Sequence, residues 1–224
     1  MPEVDHASVI VWQTALDSSG DQTARYRSVL SAHERERADR FRQDRQRQRF
    51  VTAHGQLRLI LSQYLEQPPE LIAIAQNAQG KPYIADHRLQ FNLAHVNDVM
   101  LCALTWDYAV GIDVEDTRRE VEMMTIARSF FSPGEVELLE VRTPNDQRQL
   151  FFDLWTRKEA YLKARGVGLT FNALDTPISV NSPLFSAADG TQWSVLSFSP
   201  APDLRAAVVT AAATLSMQLS IFRE

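Results

Sequence analysis

The residues best suited to phosphate chemistry lie in two short segments of the chain. Residues 111–115 read Gly-Ile-Asp-Val-Glu, and residues 155–163 read Trp-Thr-Arg-Lys-Glu-Ala-Tyr-Leu-Lys. Carboxylate oxygens are the ligands that Mg²⁺ prefers, and lysine ammonium groups bind phosphate oxygens. Together the two segments contain the side chains that a Mg²⁺-dependent reaction of a phosphate compound requires.

Lysine is rare in this chain. Of its 23 basic residues, only Lys81, Lys158 and Lys163 are lysines, and the rest are arginines. An arginine-biased composition with three stray lysines explains the count as well as function does. The lysine count therefore does not distinguish function from composition, and the spacing of residues within the two segments is the more informative feature.

The first segment has the alternation of a β-strand. Apolar residues alternate with Gly111, Asp113 and Glu115, so the pattern predicts that both carboxylates point to the same side. Same-face neighbours lie roughly 6.5–7 Å apart, close enough to share one ion. Gly111 is expected to leave room for a ligand beside them. A solvent-exposed alternating strand would show the same pattern.

The second segment lies on a predicted long helix over residues 144–165, with Thr143 as N-cap and Gly166 after its end. Lys158 falls inside the apolar stripe of this helix, where it either reaches to water or meets an anion in a crevice. Glu159 and Lys163 are four residues apart. By default they form a helix-stabilising pair; in a site they supply a metal ligand or base and a phosphate contact.

The order of elements predicts an α+β fold. Strands, helices and strands occur in that order in residues 1–107 and again in residues 108–224, which suggests two similar α/β halves related by a pseudo-two-fold axis, with the active site in the cleft between them. The predicted helices cover a short stretch opened by a capping box of Ser31 and Glu34, a stretch from Phe50 to Tyr64 that ends at Pro68, and residues 121–141 and 144–165. The predicted strands cover residues 8–16, 71–75, 82–84, 89–93, 99–105, 110–115, a stretch near 178, and residues 193–198, 206–211 and 215–222.

Composition limits the possible functions. The net charge of −5 argues against general nucleic-acid binding, and the apolar runs are shorter than the roughly 20 residues of a membrane span. The N-terminus lacks the features of a secretory signal, so a cytoplasmic location is expected. Cys102, the single cysteine, lies in an apolar run and is predicted to be a core thiol rather than a nucleophile.

The segment from residue 25 to residue 49 is locally basic, with nine arginines against four carboxylates. It is either a solvated helix surface or a docking site for an anionic ligand or an acidic protein. The histidines at positions 6, 33, 54 and 87 show no metal-ligand spacing and are predicted to be surface or core residues.

These motifs resemble those of the 4′-phosphopantetheinyl transferases of the surfactin-synthetase-activating type. Besides residues 111–115 and 155–163, the resemblance includes Gly-Lys-Pro at residues 80–82, Phe-Asn-Leu-Ala-His at 91–95 and Phe-Phe-Ser-Pro at 130–133. The one departure is Ala94, where the family usually has serine. The loss of that hydroxyl contact is expected to change affinity at most modestly.

The resemblance implies that coenzyme A binds in the cleft, with Mg²⁺ on its pyrophosphate. Asp113, Glu115 and Glu159 match the metal ligands, and Glu159 also matches the group that deprotonates the acceptor serine, directly or through a bound water. Lys163, which matches a stabiliser of the transferring group, is counted with Asp113 and Glu159 among the catalytic residues. The remaining expected coenzyme A contacts are Lys158 at a phosphate, Lys81 and His95 near the adenosine phosphates, and Arg37 and Arg49.

The implied reaction transfers the phosphopantetheine arm to a serine of an apo acyl or peptidyl carrier protein, and the implied enzyme is a monomer. The basic segment and the residues around Phe130 and Phe131 are expected to contact the carrier. Two other functions remain open: a Mg²⁺-dependent nucleotide phosphohydrolase, and a module that binds coenzyme A or carrier without catalysis. The sequence has no P-loop or Rossmann glycine motif.

Overall fold

The computed structural model describes residues 8–85, 87–167, 178, 182–212 and 216–222. The helices are α1 (Gly20–Ser28), α2 (Ala32–Asp39), α3 (Asp44–Leu65), α4 (Met123–Phe130), α5 (Pro133–Glu140) and α6 (Pro144–Arg165). The strands are β1 (Ser8–Ala15), β2 (Ile74–Gln76), β3 (Pro82–Ile84), β4 (Leu89–Val96), β5 (Val99–Trp106), β6 (Val110–Asp116), β7 (Leu184–Ser186), β8 (Gln192–Phe198), β9 (Leu204–Thr210) and β10 (Ser216–Ile221). None of the described helices is long and apolar enough to cross a membrane.

Two four-stranded sheets form the framework. The first has the order β10-β1-β5-β4, in which β10 runs parallel to β1 and the other pairs are antiparallel. The second has the order β6-β9-β8-β7 and is antiparallel throughout. Strand β10 follows the second sheet in the chain but completes the first one, so the chain crosses between the halves twice.

The layers are ordered helix, sheet, sheet, helix. Helix α3 covers the outer face of the first sheet, where Leu57 and Ile60 pack with Phe91 and Leu104. The inner faces of the two sheets share one apolar cluster: Val9, Val11, Ala94, Leu101, Ala103, Val110, Ile112, Val114, Leu204, Ala206 and Val208. Helix α6 covers the outer face of the second sheet. The α+β fold is confirmed, while the pseudo-two-fold relation and the division at residue 107 stay predictions.

Many element boundaries agree with the sequence. Helix α6 begins at Pro144 with the Thr143 hydroxyl accepting a hydrogen bond from the Asp146 N–H, and it ends at Gly166 with a φ of 65°. The predicted capping box of Ser31 and Glu34 is present. Cys102 is buried in the core, and its burial raises the pKa of the thiol, as expected for an inert residue.

Other elements differ from the prediction. The strand expected at residue 71 begins only at Ile74, because Pro69–Leu71 forms a 3₁₀ turn. Helix α1 was not predicted, although a second capping box, of Ser19 and Gln22, marks its start. The short strand β7 was also missed. The strand expected near residue 178 lies outside the described residues, apart from Ile178 itself.

Gly111 has a different role from the one expected. A Cβ atom added to it would lie 2.0 Å from the Ala160 carbonyl oxygen and 2.3 Å from the Ala164 nitrogen. The space beside Gly111 is therefore filled by the backbone of α6, and the prediction that it leaves room for a ligand is wrong. The absence of a side chain lets strand β6 and helix α6 come into backbone contact.

We expect Gly111→Ala to lower the free energy of unfolding by about 3 kcal/mol, because a backbone rather than a flexible side chain must move. Urea denaturation followed by circular dichroism measures this effect. Gly134→Ala is the matched control, since a Cβ at Gly134 meets no atom within 4 Å. It should change the stability by less than about 1 kcal/mol. Equal effects of the two substitutions would contradict the close-packing argument.

Candidate active site

The carboxylates of β6 face helix α6 in a fixed order. Gly111 meets Ala160 and Ala164, while Asp113 accepts a hydrogen bond from Lys163. Glu115, two residues further on, accepts one from the Trp155 indole. From Gly111 to Glu115 the contacts on the helix shift from Ala160 and Ala164 back to Trp155, so the strand and the helix run antiparallel. The prediction that Asp113 and Glu115 lie on the same face of a strand is confirmed.

Asp113 is the most buried of the three predicted metal ligands, with 6% of its surface exposed. Its Oδ1 atom lies 2.7 Å from Lys163 Nζ. Its Oδ2 atom is buried and has no hydrogen-bond partner among the described residues. A buried carboxylate oxygen without a partner costs free energy, and a cation or a donor from a ligand would relieve that cost.

Glu115 and Glu159 are electrostatically coupled to Asp113. Burial, followed by the charge of Asp113, raises the pKa of Glu115. Burial, again followed by the charge of Asp113, raises the pKa of Glu159 to about 7, and Glu115 adds a smaller increase while Lys163 opposes it. Three acidic groups thus repel one another, and two cations offset part of this repulsion: Lys163, which pairs with Asp113, and Arg119, which lies 3.5 Å from Glu115 Oε2.

The three carboxylates differ from a preformed metal site in their grouping but not in their chemistry. In the described part of the chain, no three or more His, Cys, Asp or Glu side chains are grouped so as to hold a metal ion. Lys163 Nζ instead donates to Asp113. The chemistry of the set nevertheless fits a hard cation, because all donors are carboxylate oxygens and Asp113 Oδ2 lacks a partner. Assignment of the metal ligands stays a prediction.

A cavity of about 740 Å³ is lined by residues of the first half of the chain. Its apolar lining includes Phe50, Leu57, Ile74, Pro82, Leu93 and Met100, and its basic lining consists of His33, Arg37, Arg49, His54 and His95. The cavity contains one acidic residue, Glu34. A pocket that combines apolar walls with two arginines and three histidines suits a ligand with an aromatic ring and phosphates.

Three of the predicted ligand contacts line this cavity. Arg37 lies over the Phe50 ring at 5.1 Å, and Arg49 pairs with the Asp98 carboxylate. Burial lowers the pKa of His95, and the charges of Lys163 and Arg49 lower it further. His95 therefore connects the cavity electrostatically with the carboxylate cluster on β6 and α6. Ala94, beside it, is buried between the sheets.

Lys81 lies elsewhere. Its ammonium donates hydrogen bonds to the Val110 carbonyl at 3.0 Å and the Ala164 carbonyl at 2.9 Å. It borders a separate cavity of about 220 Å³, together with Lys163 and Gly166. Burial lowers the pKa of Lys81 to about 8. As placed, Lys81 holds the first half against the end of α6, and it does not line the larger cavity where the adenosine phosphates were expected.

Lys158 is not brought to the carboxylate cluster either. It is 2% exposed, and its ammonium lies 3.0 Å from Glu135 Oε2 and over the ring of Phe131. Burial lowers the pKa of Lys158, and Glu135 opposes this effect. The ammonium of this buried lysine is therefore paired with a carboxylate of the protein itself. Glu135 lies on α5 and also accepts a hydrogen bond from the Ser132 N–H at the start of that helix.

Two lining residues, His33 and His54, were not expected at the site. His33 is exposed and His54 is half-buried, and both also line the cavity. The sequence offered one indication that these histidines contact a ligand, which is where they lie. His54 follows Ala53 beside the apolar stripe of α3, and His33 lies in the basic segment. A histidine in such a segment is a candidate for anion contact.

The raised pKa of Glu159 predicts a pH-dependent stability in metal-free protein. Between the ordinary glutamate value and about 7, the folded state holds a proton that the unfolded state has lost, so stability falls as pH rises through this range. Glu159→Gln should therefore match the wild type near pH 5 and melt higher near pH 8, by roughly 5 °C. Scanning calorimetry in EDTA measures both values. The same difference in melting temperature between Glu159→Gln and the wild type at both pH values would refute the coupling.

The same experiment with Mg²⁺ tests the metal ligands without an activity assay. Bound cation should raise the melting temperature of the wild type near pH 8, because it stabilises the folded state by mass action. The increase should be small or absent in Glu159→Gln and Asp113→Asn. Glu137→Gln, an exposed glutamate on α5, serves as the control and should respond like the wild type.

Two family models match adjacent parts of the chain. The model of the 4′-phosphopantetheinyl transferase superfamily matches residues 109–209, and the model of the 4′-phosphopantetheinyl transferase N-terminal region matches residues 15–106. The first match contains β6 and α6, and the second contains α3 and β4. Each match thus covers one side of the site.

Individual relatives extend the agreement over nearly the whole chain. The 4′-phosphopantetheinyl transferase HetI of a Nostoc species is 34% identical over 208 residues, covering 91% of this chain and 87% of the relative. A 4′-phosphopantetheinyl transferase of Bacillus subtilis is 30% identical, with 68% and 67% covered, and gsp of Aneurinibacillus migulanus is 38% identical, with 50% and 46% covered. The chain belongs to the 4′-phosphopantetheinyl transferase superfamily and is a transferase.

Proposed function

We propose that this enzyme transfers the phosphopantetheine arm of coenzyme A to a serine of an apo carrier protein and releases 3′,5′-ADP. The observation that supports the proposal is a cavity with apolar and basic walls whose His95 lies within electrostatic reach of Lys163 in the carboxylate cluster. His95 lines the cavity and responds to the charge of Lys163, which itself binds Asp113. A nucleotide in the cavity would thus place its pyrophosphate beside the acidic cluster.

The cavity matches coenzyme A in size and chemistry. About 740 Å³ lies within the range of cofactor pockets. The apolar walls suit the adenine ring, Arg37 and Arg49 supply positive charge for the phosphates, and the neutral ring of His95 can donate a hydrogen bond. Arg49 already pairs with Asp98, so it would share its guanidinium between that carboxylate and the ligand.

Glu159 is the proposed proton acceptor. Its side chain is partly buried beside Asp113, and the neighbouring carboxylates increase its affinity for a proton. The serine oxygen attacks the β-phosphorus of coenzyme A, and its proton passes to Glu159 directly or through water. The bond between the β-phosphorus and the bridging oxygen breaks, and that oxygen leaves with 3′,5′-ADP. Glu159 then returns the proton to solvent.

Lys163 and the acidic residues would stabilise the charge that moves during transfer. Lys163 Nζ donates a hydrogen bond to Asp113 Oδ1. It is the cation best placed to approach the transferring phosphoryl oxygens. Asp113, Glu115 and Glu159 would hold Mg²⁺. When bound, Mg²⁺ supplies positive charge that offsets the charge on the pyrophosphate oxygens. The cleft would hold the serine in line with the leaving group.

We propose that the enzyme acts as a monomer in the cytoplasm, with the site between halves formed by residues 1–107 and 108–224. The contributions from both sides of the site support this view, because Arg37 and His95 come from the first half and Asp113 and Glu159 from the second. One chain therefore supplies all the proposed groups.

Activity is tested by intact mass spectrometry of a panel of apo carrier proteins incubated with coenzyme A and Mg²⁺. The expected result is a mass gain of one phosphopantetheine arm on at least one carrier. EDTA should abolish it, and Glu159→Gln should slow it by about 100-fold or more, as expected when a general base is lost. The exposed-site variant Glu137→Gln should retain full activity.

The other possible outcomes separate the alternatives. Consumption of coenzyme A without modification of any carrier would favour a phosphohydrolase. Binding of coenzyme A without consumption would favour a non-catalytic module. Either result would overturn the proposed transfer reaction.

The proposed carrier surface is the basic segment of residues 25–49. Arg45 is its best test residue, because 76% of its side chain is exposed and Asp98 lies 3.9 Å away at a long ion-pair distance. Arg47 is less suitable, since it binds Asp44 and the Phe41 carbonyl. Phe131 does not fit the expected carrier surface, because it is 2% exposed and packs in the core beside Phe151.

Arg45→Glu should raise the KM for an acidic carrier protein by about tenfold at low ionic strength, and less at high salt, because the lost attraction is screened. The KM for coenzyme A and the kcat should not change. Arg142→Glu reverses the charge of an exposed arginine outside this segment and is the control. An unchanged carrier KM in Arg45→Glu would place the carrier elsewhere.

A further inference from the structure

Glu115 differs from Asp113 in that both of its carboxylate oxygens have a partner. Its Oε1 atom accepts a hydrogen bond from Trp155 Nε1 at 3.1 Å. Its Oε2 atom lies 3.5 Å from the guanidinium of Arg119. Asp113 Oδ2, by contrast, has no hydrogen-bond partner among the described residues. The side chain of Glu115 is therefore oriented by protein groups on both oxygens.

The two partners of Glu115 hold it with unequal strength. Trp155 is half-buried, and its indole nitrogen can only donate, so Oε1 is committed to this hydrogen bond. The side chain of Arg119 is 51% exposed, and an ion pair of such an exposed group contributes little because water screens it. Oε2 is therefore the oxygen of Glu115 that can exchange its partner at low cost.

Aromatic neighbours fix the ring of Trp155. The Phe151 ring lies 6.2 Å away with its plane within 10° of the indole plane, and the Phe130 ring meets the indole edge-on at 5.6 Å. The buried ring of Phe131 adds a third contact at 6.5 Å. Because the ring is held on several sides, the direction of its N–H is set by the packing of α4 and α6 and not by Glu115.

The hydrogen bond from Trp155 also favours the charged form of Glu115. Burial and then the charge of Asp113 raise the pKa of Glu115, whereas Arg119 and Trp155 lower it. The ionised carboxylate is the form that binds a hard cation. Groups that hydrogen-bond to a metal ligand from outside orient that ligand and increase the affinity of the site for its metal. Trp155 has the position and the chemistry of such a group.

We propose that Trp155 is a positioning residue for the divalent cation: its indole holds Oε1 of Glu115 and leaves Oε2 to the ion, which displaces Arg119. This inference rests on the proposed Mg²⁺ site of Asp113, Glu115 and Glu159. Trp155 acts through Glu115 and not by contact with the reacting atoms. A purely structural role of Trp155 would affect the stability of the metal-free protein and leave its affinity for Mg²⁺ unchanged.

The test compares two Trp→Phe variants. Trp155→Phe keeps an aromatic ring beside Phe151 but removes the N–H that holds Glu115. Trp12→Phe is the matched control, because Trp12 donates an indole hydrogen bond to Tyr64 Oη at 2.9 Å and packs in the cluster under α3, away from β6 and α6. Each variant loses one indole hydrogen bond, and only one of these bonds involves a proposed metal ligand.

The melting temperature is measured as a function of Mg²⁺ concentration near pH 8, which gives a half-saturating concentration for each protein. Trp155→Phe should raise this concentration about tenfold, as expected when a group that orients a metal ligand is lost. Trp12→Phe should leave it unchanged. Arg119→Gln should lower it about twofold, because a weakly held competing cation is removed from Glu115.

Two further measurements test whether Trp155 acts through Glu115. In a Glu115→Ala background, Trp155→Phe should not weaken Mg²⁺ binding any further, because the carboxylate that it orients is absent. Mg²⁺ should also change the tryptophan emission of the wild type and of Trp12→Phe. The change should be absent in Trp155→Phe even at saturating Mg²⁺.

The results separate this inference from the proposed function. A wild type that responds to Mg²⁺ and a Trp155→Phe variant with the same half-saturating concentration would overturn the role of Trp155 and leave the metal site in place. Further weakening in the double variant would also overturn it, since Trp155 would then act without Glu115. If the wild type shows no response to Mg²⁺, the proposed metal site fails, and the role of Trp155 fails with it.

Discussion

The contact on which the site depends is that between the backbones of β6 and α6 at Gly111. With no Cβ at this position, the Ala160 carbonyl and the Ala164 nitrogen lie where a side chain would be. This approach fixes the height of the helix above the strand, and the partners of Asp113 and Glu115 follow from it. Lys81 reinforces the same junction, since its ammonium binds carbonyls at the start of β6 and near the end of α6. Packing against this junction thus sets the geometry of the acidic cluster.

That junction holds a set of charges that is unfavourable by itself. Asp113, Glu115 and Glu159 share a partly buried space with the ammonium of Lys163, and the pKa values of both glutamates are raised. Asp113 Oδ2 is left without a partner among the described residues. Folding tolerates this cost because the surrounding apolar layers are extensive, with the shared cluster between the sheets and the α6 cluster beneath. A site that is strained when empty is a common arrangement where a charged ligand is to be bound.

Sequence reasoning succeeded where one local rule decides the outcome. Capping residues placed both ends of α6, and strand alternation placed Asp113 and Glu115 on one face, because these signals act within a few residues. It failed where distant parts of the chain meet. The roles of Gly111 and Lys158 depend on which backbone or carboxylate approaches them, Ala160 in one case and Glu135 in the other. The position of His54 in the cavity depends on the contact between α2 and α3 through Glu34. Spacing along the sequence does not record such contacts.

The three lysines now have a common physical explanation. Each ammonium occupies a junction between elements where a compact charge fits: Lys81 between two carbonyls, Lys158 against Glu135 on α5, and Lys163 against Asp113 on β6. The buried arginine Arg58 shows the contrast, because its fork reaches Glu34 and two carbonyls at once. The positions of the three lysines therefore have a structural explanation that does not depend on catalysis. Two lysines hold helix α6 in place, and the third, Lys163, gains its proposed catalytic position from the helix that they hold.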